Sequence, residues 1–347
     1  MKKLSFIDVL RVMSFAVIIF YHFAIDLEVK GIYNFQKFGI TFFNSNMNIV
    51  ILSVSLFFII SGACLTLSVQ KQKNVNWLSF YKKRITRILI PFYLAYIFDL
   101  FLEFMQYRVL PFPNDIPLWR VIFTFAGVDE YFTMLGTTTF SLGIGEWFLG
   151  CLIMMYLIFP LLYTCMKKNR YVTILAATIY YIVLILTYNY NVPQHMNFFS
   201  KIYEFILGMF LILELNKIKK WSLVITLPII AVCFLGKPYI PVPQAFMNIL
   251  LSGAVFCFAA LCEDFISNRK HLLNILRVVS KYSFEVYLIH HFIIYWFSWY
   301  FTGHLFCGRE IILLLTLECF VMAVGARVLK KYSVKVENWI GNIKLGS

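Results

Sequence analysis

The stretch "LRVMSFAVIIFYHF" (residues 10–23) decides the fold class, because it is almost entirely apolar apart from Arg11 and His22. It belongs to a block, 6–27, that is long enough to cross ~30 Å of hydrocarbon as a helix. The chain has 347 residues, of which 61% are hydrophobic and 14% are charged. Since soluble domains carry about 25% charged residues, we predict an all-α, polytopic transmembrane helical bundle. Ten blocks of this kind are predicted to span the membrane: 6–27, 47–69, 88–107, 146–165, 171–190, 198–215, 221–236, 245–262, 283–302 and 310–328.

The basic residues predict the orientation of these spans. If the N-terminus is cytoplasmic, 24 of the 31 Lys and Arg residues fall on the cytoplasmic side. Cytoplasmic loops of membrane proteins carry such an excess, so both termini are predicted to be cytoplasmic. The other seven are predicted to lie outside: Lys30, Lys37, Arg108, Arg120, Lys201, Lys237 and Arg309.

Charge and cysteine usage exclude two further kinds of partner. The net charge of +14 is divided into short clusters between apolar blocks, so no nucleic-acid partner is predicted. Most of the eight cysteines fall inside apolar blocks without metal-ligand spacing, as buried small hydrophobic residues do, and no metal is predicted.

The domain organisation is predicted to be simple, with residues 1–347 forming a single transmembrane domain. Residues 108–145 are too long for a turn and contain three prolines. We predict that this segment is external or re-entrant, since irregular backbone at membrane depth needs cover from protein or a wet cavity. No internal repeat and no fused soluble domain is apparent.

Arg11 and His22 are predicted to point from one face of the first helix. Eleven steps of about 100° come within ~20° of three full turns and separate the two residues by about 16.5 Å along the axis. Charged groups in a span usually face a bundle interior or a wet cavity and mark a pathway. The alternative is that Arg11 snorkels to the headgroups while His22 is hydrogen-bonded at the interface.

An Arg and a His placed this way in the first span resemble the acyltransferase-3 family of bacterial membrane proteins. Further stretches resemble that family in its own order. They are "LFFIISGACLT" (56–66), "FYKKRITRILIPFYL" (80–94), "EWFLGCLIMMYLIFPLL" (146–162), "YEFILGMFL" (203–211) and "YSFEVYLIHHFII" (282–294).

The resemblance implies an O-acyltransferase, usually an O-acetyltransferase, in the multi-pass setting of the bacterial inner membrane. The acyl group would pass from cytoplasmic acyl-CoA to a hydroxyl of an envelope glycan or surface polysaccharide. Acetyl-CoA or another short acyl-CoA would be a co-substrate, with no permanently bound cofactor. Some relatives carry a fused extracytoplasmic domain, so this chain would either acylate its acceptor directly or use a separate extracytoplasmic partner.

Acyl transfer to an alcohol needs a general base, and His22 suits that role because the pKa of an unperturbed imidazole is near ~6.5. A base needs an orienting partner. We favour Glu146, which opens the fourth span beside Trp147. Asp26, one helical turn from His22, is the alternative. Either carboxylate could instead be a solvated residue at a helix end.

A charged donor needs arginine or lysine at its phosphates. Arg11, Arg84 and Arg87 are the candidates, although the last two could simply anchor the cytoplasmic side. Ser61 could donate to the donor thioester, while Gly62 beside it favours close helix packing.

Tyr287, His290 and Asp26 are predicted to line the cavity. Because adjacent helical residues point about 100° apart, we expect only one of His290 and His291 to reach it. The resemblance favours His290, in either a catalytic or a structural role.

Two alternatives stay open at this point. A transporter or flippase for a glycan or lipid-linked precursor would also need a polar cavity, although transporters usually show internal repeats. Within the acyltransferase family, the donor could be a succinyl rather than an acetyl thioester.

Overall fold

The computed structural model describes residues 4–35, 48–113, 115–235 and 243–343. The structure consists of helices and the segments that connect them, and no β-strand occurs in these ranges. The predicted all-α class is therefore confirmed. Five of the charges that predict the orientation lie outside the described residues: Lys2, Lys3, Lys37, Lys237 and Lys344.

Twelve α-helices are numbered in chain order within the described ranges. They are α1 Ser5–Val29, α2 Ile49–Val69, α3 Trp77–Tyr107, α4 Val121–Ala126, α5 Asp129–Met134, α6 Glu146–Leu186, α7 Phe198–Leu213, α8 Leu215–Leu235, α9 Gln244–Leu261, α10 Glu263–Asn268, α11 Lys270–Tyr300 and α12 Gly308–Ile343.

Six of the described helices are long and apolar enough to cross a membrane: α1, α2, α3, α6, α9 and α12. The polytopic character predicted from composition agrees with this finding. The count of ten spans and the cytoplasmic position of both termini stay predictions.

The predicted boundary between the fourth and fifth spans corresponds to a break inside α6. Asn169 has φ −157° and ψ 100°, which is not helical. Its side-chain oxygen accepts hydrogen bonds from the backbone N–H groups of Tyr171 and Val172, each at 3.1 Å. This is an N-cap arrangement, which begins a new helical segment. The 41-residue helix thus consists of two segments joined at Asn169.

The chain divides into two compact units, and the first comprises Met1–Tyr21, Gly39–Val75 and Ile158–Lys281. Its centre is the packing of α2 on α7, where glycines allow the backbones to approach. A Cβ atom at Gly62 would lie 2.1 Å from the Phe205 carbonyl oxygen, and one at Gly208 would lie 1.9 Å from that of Ile59. Phe6 and Phe256 add an edge-to-face ring contact at 5.3 Å.

The second unit comprises His22–Phe38, Asn76–Leu157 and Tyr282–Ser347, and α3 packs on α12 within it. Residues 108–145, predicted to be external or re-entrant, form short helices here, and their membrane position stays a prediction. The Tyr96 hydroxyl on α3 donates to the Phe140 carbonyl at 2.5 Å. A Cβ atom at Gly150 would lie 2.7 Å from the Tyr131 Cβ, so the segment packs closely on the start of α6.

Candidate active site

Four side chains of the second unit converge at one place: His22 of α1, Glu146 of α6, and His290 and His291 of α11. Taking one nitrogen or oxygen atom from each, all four atoms lie within 4.8 Å of one another. We call these residues the histidine–glutamate cluster. Among the residues that the structure describes, these histidines and this glutamate are close enough together to act on the same substrate atom.

A strained turn presents Glu146 at the start of α6. Gly143 and Gly145 have φ values of 76° and 74°, and Glu146 itself has φ 46°. Glycine takes this left-handed conformation without steric cost, whereas a residue with a Cβ atom loses about 1–2 kcal/mol. Such strain persists only where the surroundings hold it, and it is concentrated at functional sites. The sequence "GIGE" thereby fixes the direction of the carboxylate.

The Glu146 carboxylate contacts two imidazoles. Its Oε1 atom lies 3.3 Å from Nε2 of His22 and forms a closer contact with Nε2 of His291. The rings of His22 and His291 are themselves in contact, with centroids 4.3 Å apart. A carboxylate held against two imidazoles stabilises a proton on either of them, since opposite charges attract strongly where water is scarce.

His290 is held by α11 itself. Its Nδ1 atom lies 2.6 Å from the Tyr287 carbonyl oxygen, so Nδ1 carries the hydrogen and donates it. Nε2 then carries the lone pair, and this buried atom has no hydrogen-bond partner among the described residues. The Tyr287 hydroxyl donates to the Gly145 carbonyl, which ties α11 to the turn before Glu146.

The expectation that only one of these two histidines reaches the site is wrong. His290 and His291 both contribute a nitrogen to the histidine–glutamate cluster. The 100° rule describes the directions in which the side chains leave the helix. Two histidines that leave the helix in different directions can still bring one ring nitrogen each to the same place, because the imidazole extends away from the helix. His291, which sequence reasoning set aside, makes the closer contact with the carboxylate.

Asp26 is placed in a different ion pair. Its carboxylate accepts a hydrogen bond from Lys30 Nζ at 3.1 Å and another from the Ser298 hydroxyl. Lys30 also lies over the Tyr295 ring, 3.9 Å from its centroid. Of the two carboxylates considered as partners of His22, the structure therefore brings Glu146 to the imidazole and gives Asp26 partners of its own.

The residues predicted to bind the donor have varied surroundings. Arg11 lies in the first unit, where Nη1 donates to the Ser280 hydroxyl at 3.0 Å and lies 3.7 Å from Asp8 Oδ1. Arg84 stands 5.7 Å from the Phe80 ring centroid, and Arg87 is exposed. Ser61 is half-buried on α2. Arg11 and Ser61 belong to the first unit and Arg84 and Arg87 to the second. The donor roles of these four residues stay predictions.

Two acidic residues of the segment 108–145 lie outside the spanning helices: Asp129 is buried and Glu130 is half-buried. Burial raises the pKa of Asp129 to about 6. Burial also raises the pKa of Glu130, against a smaller lowering by the Ser141 hydroxyl, which donates to it at 2.6 Å. The neighbouring Glu146 carboxylate adds to the upward shift at Glu130. The segment therefore adds two carboxyl groups whose pKa values are raised.

The histidine–glutamate cluster also has the donor atoms of a metal site. Three imidazole nitrogens and one carboxylate oxygen suit a tetrahedral Zn²⁺ ion. The hydrogen on Nδ1 of His290 leaves Nε2 available, as in histidine ligands whose second nitrogen donates to a carbonyl. The same atoms suit proton transfer, so a measurement must distinguish a metal site from an acid–base site.

Lys201 is another residue whose surroundings differ from the sequence-based expectation. It was counted among the external charges, but its side chain is 1% exposed and pairs with Glu204 at 2.6 Å. Both residues belong to α7 at i and i+3, a spacing that places side chains on one helix face. In the sequence, a lysine and a glutamate at this spacing inside an apolar block already indicate a buried ion pair.

Comparison with known proteins places the chain in a family. The sequence model of that family, described as an acyltransferase domain, matches residues 4–327. The chain belongs to this family, and the resemblance to the acyltransferase-3 proteins is confirmed. No curated protein and no solved structure matches the chain.

Proposed function

We propose that this member of the acyltransferase family moves a short acyl group, in the first instance acetyl, from acyl-CoA to a hydroxyl of an envelope polysaccharide. The observation that carries the proposal is the contact of His22 and His291 with the single carboxylate of Glu146. The localisation proposed with it is the bacterial inner membrane.

His22 acts as the general base in this proposal. Its imidazole takes the proton of the acceptor hydroxyl as the oxygen attacks the thioester carbonyl. The acyl–sulfur bond then breaks, the acyl–oxygen bond remains, and the proton passes from the imidazolium to the leaving thiolate. Glu146 stabilises the imidazolium formed in between, as a buried carboxylate does in other acyl-transfer sites.

His290 and His291 complete the proton-handling group. His291 contacts the same carboxylate oxygen as His22, so Glu146 can balance the charge of whichever imidazole holds the proton. His290 offers a buried acceptor at Nε2. This atom suits a hydrogen bond from the acceptor hydroxyl, because a buried acceptor without a partner costs about 1–3 kcal/mol until a donor reaches it.

Donor binding is assigned to the basic residues, and acyl-CoA is the proposed co-substrate. Arg84 and Arg87 at the start of α3 supply charge for the phosphates, together with Arg11 on α1. Ser61 remains the candidate hydrogen-bond donor to the thioester. A separate extracytoplasmic protein could complete the transfer to the final acceptor.

The first test is thiol release from labelled acetyl-CoA by the purified protein in nanodiscs. Turnover is followed with and without a polysaccharide acceptor, in the wild type and in His22→Ala. Loss of a general base lowers turnover by about 10²–10⁴-fold. We expect a fall of that size in His22→Ala, with the protein still folded.

His271→Ala is the matched control, since His271 is exposed in the first unit and outside the cluster. It should retain full turnover. Equal activity of wild type and His22→Ala would remove His22 from the chemistry. Absence of thiol release with any short acyl-CoA would favour a transporter for a glycan precursor. Metal analysis and chelation in the same assay test the zinc alternative, because a general base needs no metal.

A further inference from the structure

The surroundings of Arg11 include a side chain that the proposed function does not use. Ser280 of α11 lies beside the Arg11 guanidinium in the first unit, although the two residues are 269 positions apart in the chain. Asp8 of α1 lies next to both of them. Asp8 is 1% exposed and Ser280 is 7% exposed, whereas the Arg11 side chain is 26% exposed. A ligand can therefore reach Arg11 far more easily than the two residues that contact it.

Spacing along α1 brings Asp8 next to Arg11 without joining them by a hydrogen bond. Residues at i and i+3 are neighbours on one face of a helix. Asp8 Oδ1 lies 3.7 Å from Arg11 Nη1, which is an ion-pair distance and too long for a hydrogen bond. The carboxylate therefore attracts the guanidinium, but it does not fix the direction in which the N–H groups point.

Ser280 connects these two charged groups by hydrogen bonds. Its hydroxyl donates to Asp8 Oδ1 at 2.7 Å and accepts from Arg11 Nη1 at 3.0 Å. Because the hydroxyl hydrogen is directed to the carboxylate, the oxygen presents a lone pair to the guanidinium. Donation to the carboxylate also polarises the hydroxyl, which strengthens its bond to Arg11. Ser280 thereby gives the guanidinium a defined orientation.

The oriented guanidinium keeps N–H groups for a ligand. An arginine side chain carries several N–H donors in one plane. Among the described residues, Nη1 donates to Ser280, and Nη2 lies 3.6 Å from the Cys64 sulfur, which is a weak acceptor. The remaining N–H groups suit a phosphate, which arginine binds through two parallel hydrogen bonds. A side chain that is already oriented loses less conformational freedom when such a ligand binds.

We propose that Ser280 is a positioning residue for acyl-CoA: it holds the Arg11 guanidinium in the orientation that receives a phosphate of the donor. This inference rests on the proposed function, because it takes Arg11 to be a donor-binding residue. It deepens that function by adding a residue of α11 to the donor site. In this role Ser280 acts on the donor only through Arg11, so its removal affects donor affinity and leaves the chemical step unchanged.

The first measurement compares the wild type with Ser280→Ala, using the full-length protein in nanodiscs. Equilibrium binding of labelled CoA gives Kd, and thiol release from acetyl-CoA gives KM and kcat. We expect Ser280→Ala to raise Kd and KM about three- to tenfold, as for the loss of one pre-oriented long side chain. The value of kcat should stay within about twofold of the wild-type value.

A double-mutant cycle with Arg11→Gln separates positioning from a general loss of structure. In the Arg11→Gln background, Ser280→Ala should change Kd and KM no further, because residues that act through one contact are not additive. A purely structural role would give the same effect in both backgrounds. If Arg11→Gln does not fold, Ser280→Thr replaces the cycle, since it keeps the hydroxyl and should retain the wild-type Kd.

Ser252→Ala is the matched control, because Ser252 is also buried in the first unit and its hydroxyl donates to the Asn248 carbonyl of its own helix. It should bind CoA as the wild type does. Wild-type turnover together with unchanged Kd and KM in Ser280→Ala would overturn the inference and leave the proposed function standing. Equal effects of Ser280→Ala in both backgrounds, or a Kd in Ser280→Thr as high as in Ser280→Ala, would do the same. Absence of both CoA binding and thiol release in the wild type would overturn the two together.

Discussion

At the scale of single residues, Glu146 links backbone conformation to chemistry. Its left-handed φ of 46° is costly for any residue with a Cβ atom, and the glycines at 143 and 145 provide the flanking turn. The result is a carboxylate that receives both His22 and His291. A flexible loop would hold the same charge without holding its direction, and general-base catalysis depends on that direction.

Glu146→Gln keeps the shape of the side chain and removes its charge. We expect kcat for acetyl-CoA-dependent transfer to fall by about 10²-fold or more, because the imidazolium of His22 loses its counter-charge. KM for acetyl-CoA should stay close to the wild-type value. Steady-state kinetics over a range of acetyl-CoA concentrations separates the two parameters.

Glu337→Gln on α12 is the control for this substitution, and it should leave both parameters unchanged. A raised KM with an unaltered kcat in Glu146→Gln would instead make Glu146 a donor-binding residue. In that case the partner of His22 would have to be sought elsewhere in the second unit.

At the scale of elements, the packing of α2 on α7 depends on two glycines. Gly62 and Gly208 each face a carbonyl oxygen of the other helix at a distance that no Cβ atom tolerates. Both glycines belong to stretches that carry the family resemblance, so the structure supplies a packing reason for these residues. It also supports the packing interpretation of the Ser61–Gly62 pair.

Gly208→Ala should destabilise the protein, although glycine to alanine in a helix interior usually stabilises by about 0.5–1 kcal/mol. The new Cβ atom would stand 1.9 Å from the Ile59 carbonyl oxygen, and relief of such overpacking typically costs about 1–3 kcal/mol. The measurement is the temperature at which monodisperse protein is lost in detergent.

Gly253→Ala on α9 is the matched control, since its Cβ atom would meet only a Leu207 methyl at 3.6 Å, which is ordinary contact. Its midpoint temperature should equal or exceed that of the wild type. If Gly208→Ala and Gly253→Ala have the same midpoint temperature, α2 and α7 can move apart without a loss of stability. Close α2–α7 packing would then not limit the stability of the protein.

At the scale of the whole molecule, the charge distribution sets an orientation that can be measured. Six Lys and Arg residues fall in the segment 70–87, whereas the segment 187–197 has none. Asn74 and Asn191 are exposed representatives of the two segments. Basic residues are retained on the cytoplasmic side, so these two asparagines are predicted to lie on opposite sides of the membrane.

Cysteine labelling tests this orientation. In a background without exposed cysteines, a membrane-impermeant maleimide applied to intact cells should label Asn191→Cys and leave Asn74→Cys unlabelled. Both should react after the cells are permeabilised, which controls for reactivity. Labelling of Asn74→Cys alone in intact cells would invert the predicted orientation, and labelling of both would contradict the predicted number of spans.

The sequence by itself determined the helical class, the positions of most long helices and the family. These follow from apolar blocks and helix-capping residues, which act locally: Asn169 begins a helical segment through bonds to residues two and three positions on. The break predicted between residues 165 and 171 could therefore be found without a structure. The sequence also singled out Glu146 and His22 by their residue types and positions in the spans.

Only the tertiary structure decided which of these side chains meet. His291 joined the cluster although the helical rotation argued against a pair, and Asp26 was paired with Lys30 and Ser298. Lys201, an external charge by its position in the chain, became half of a buried ion pair. Helical periodicity fixes the direction in which a side chain leaves its own helix. Contacts between helices depend on how segments that are far apart in the chain pack against each other. Local sequence patterns do not encode that packing.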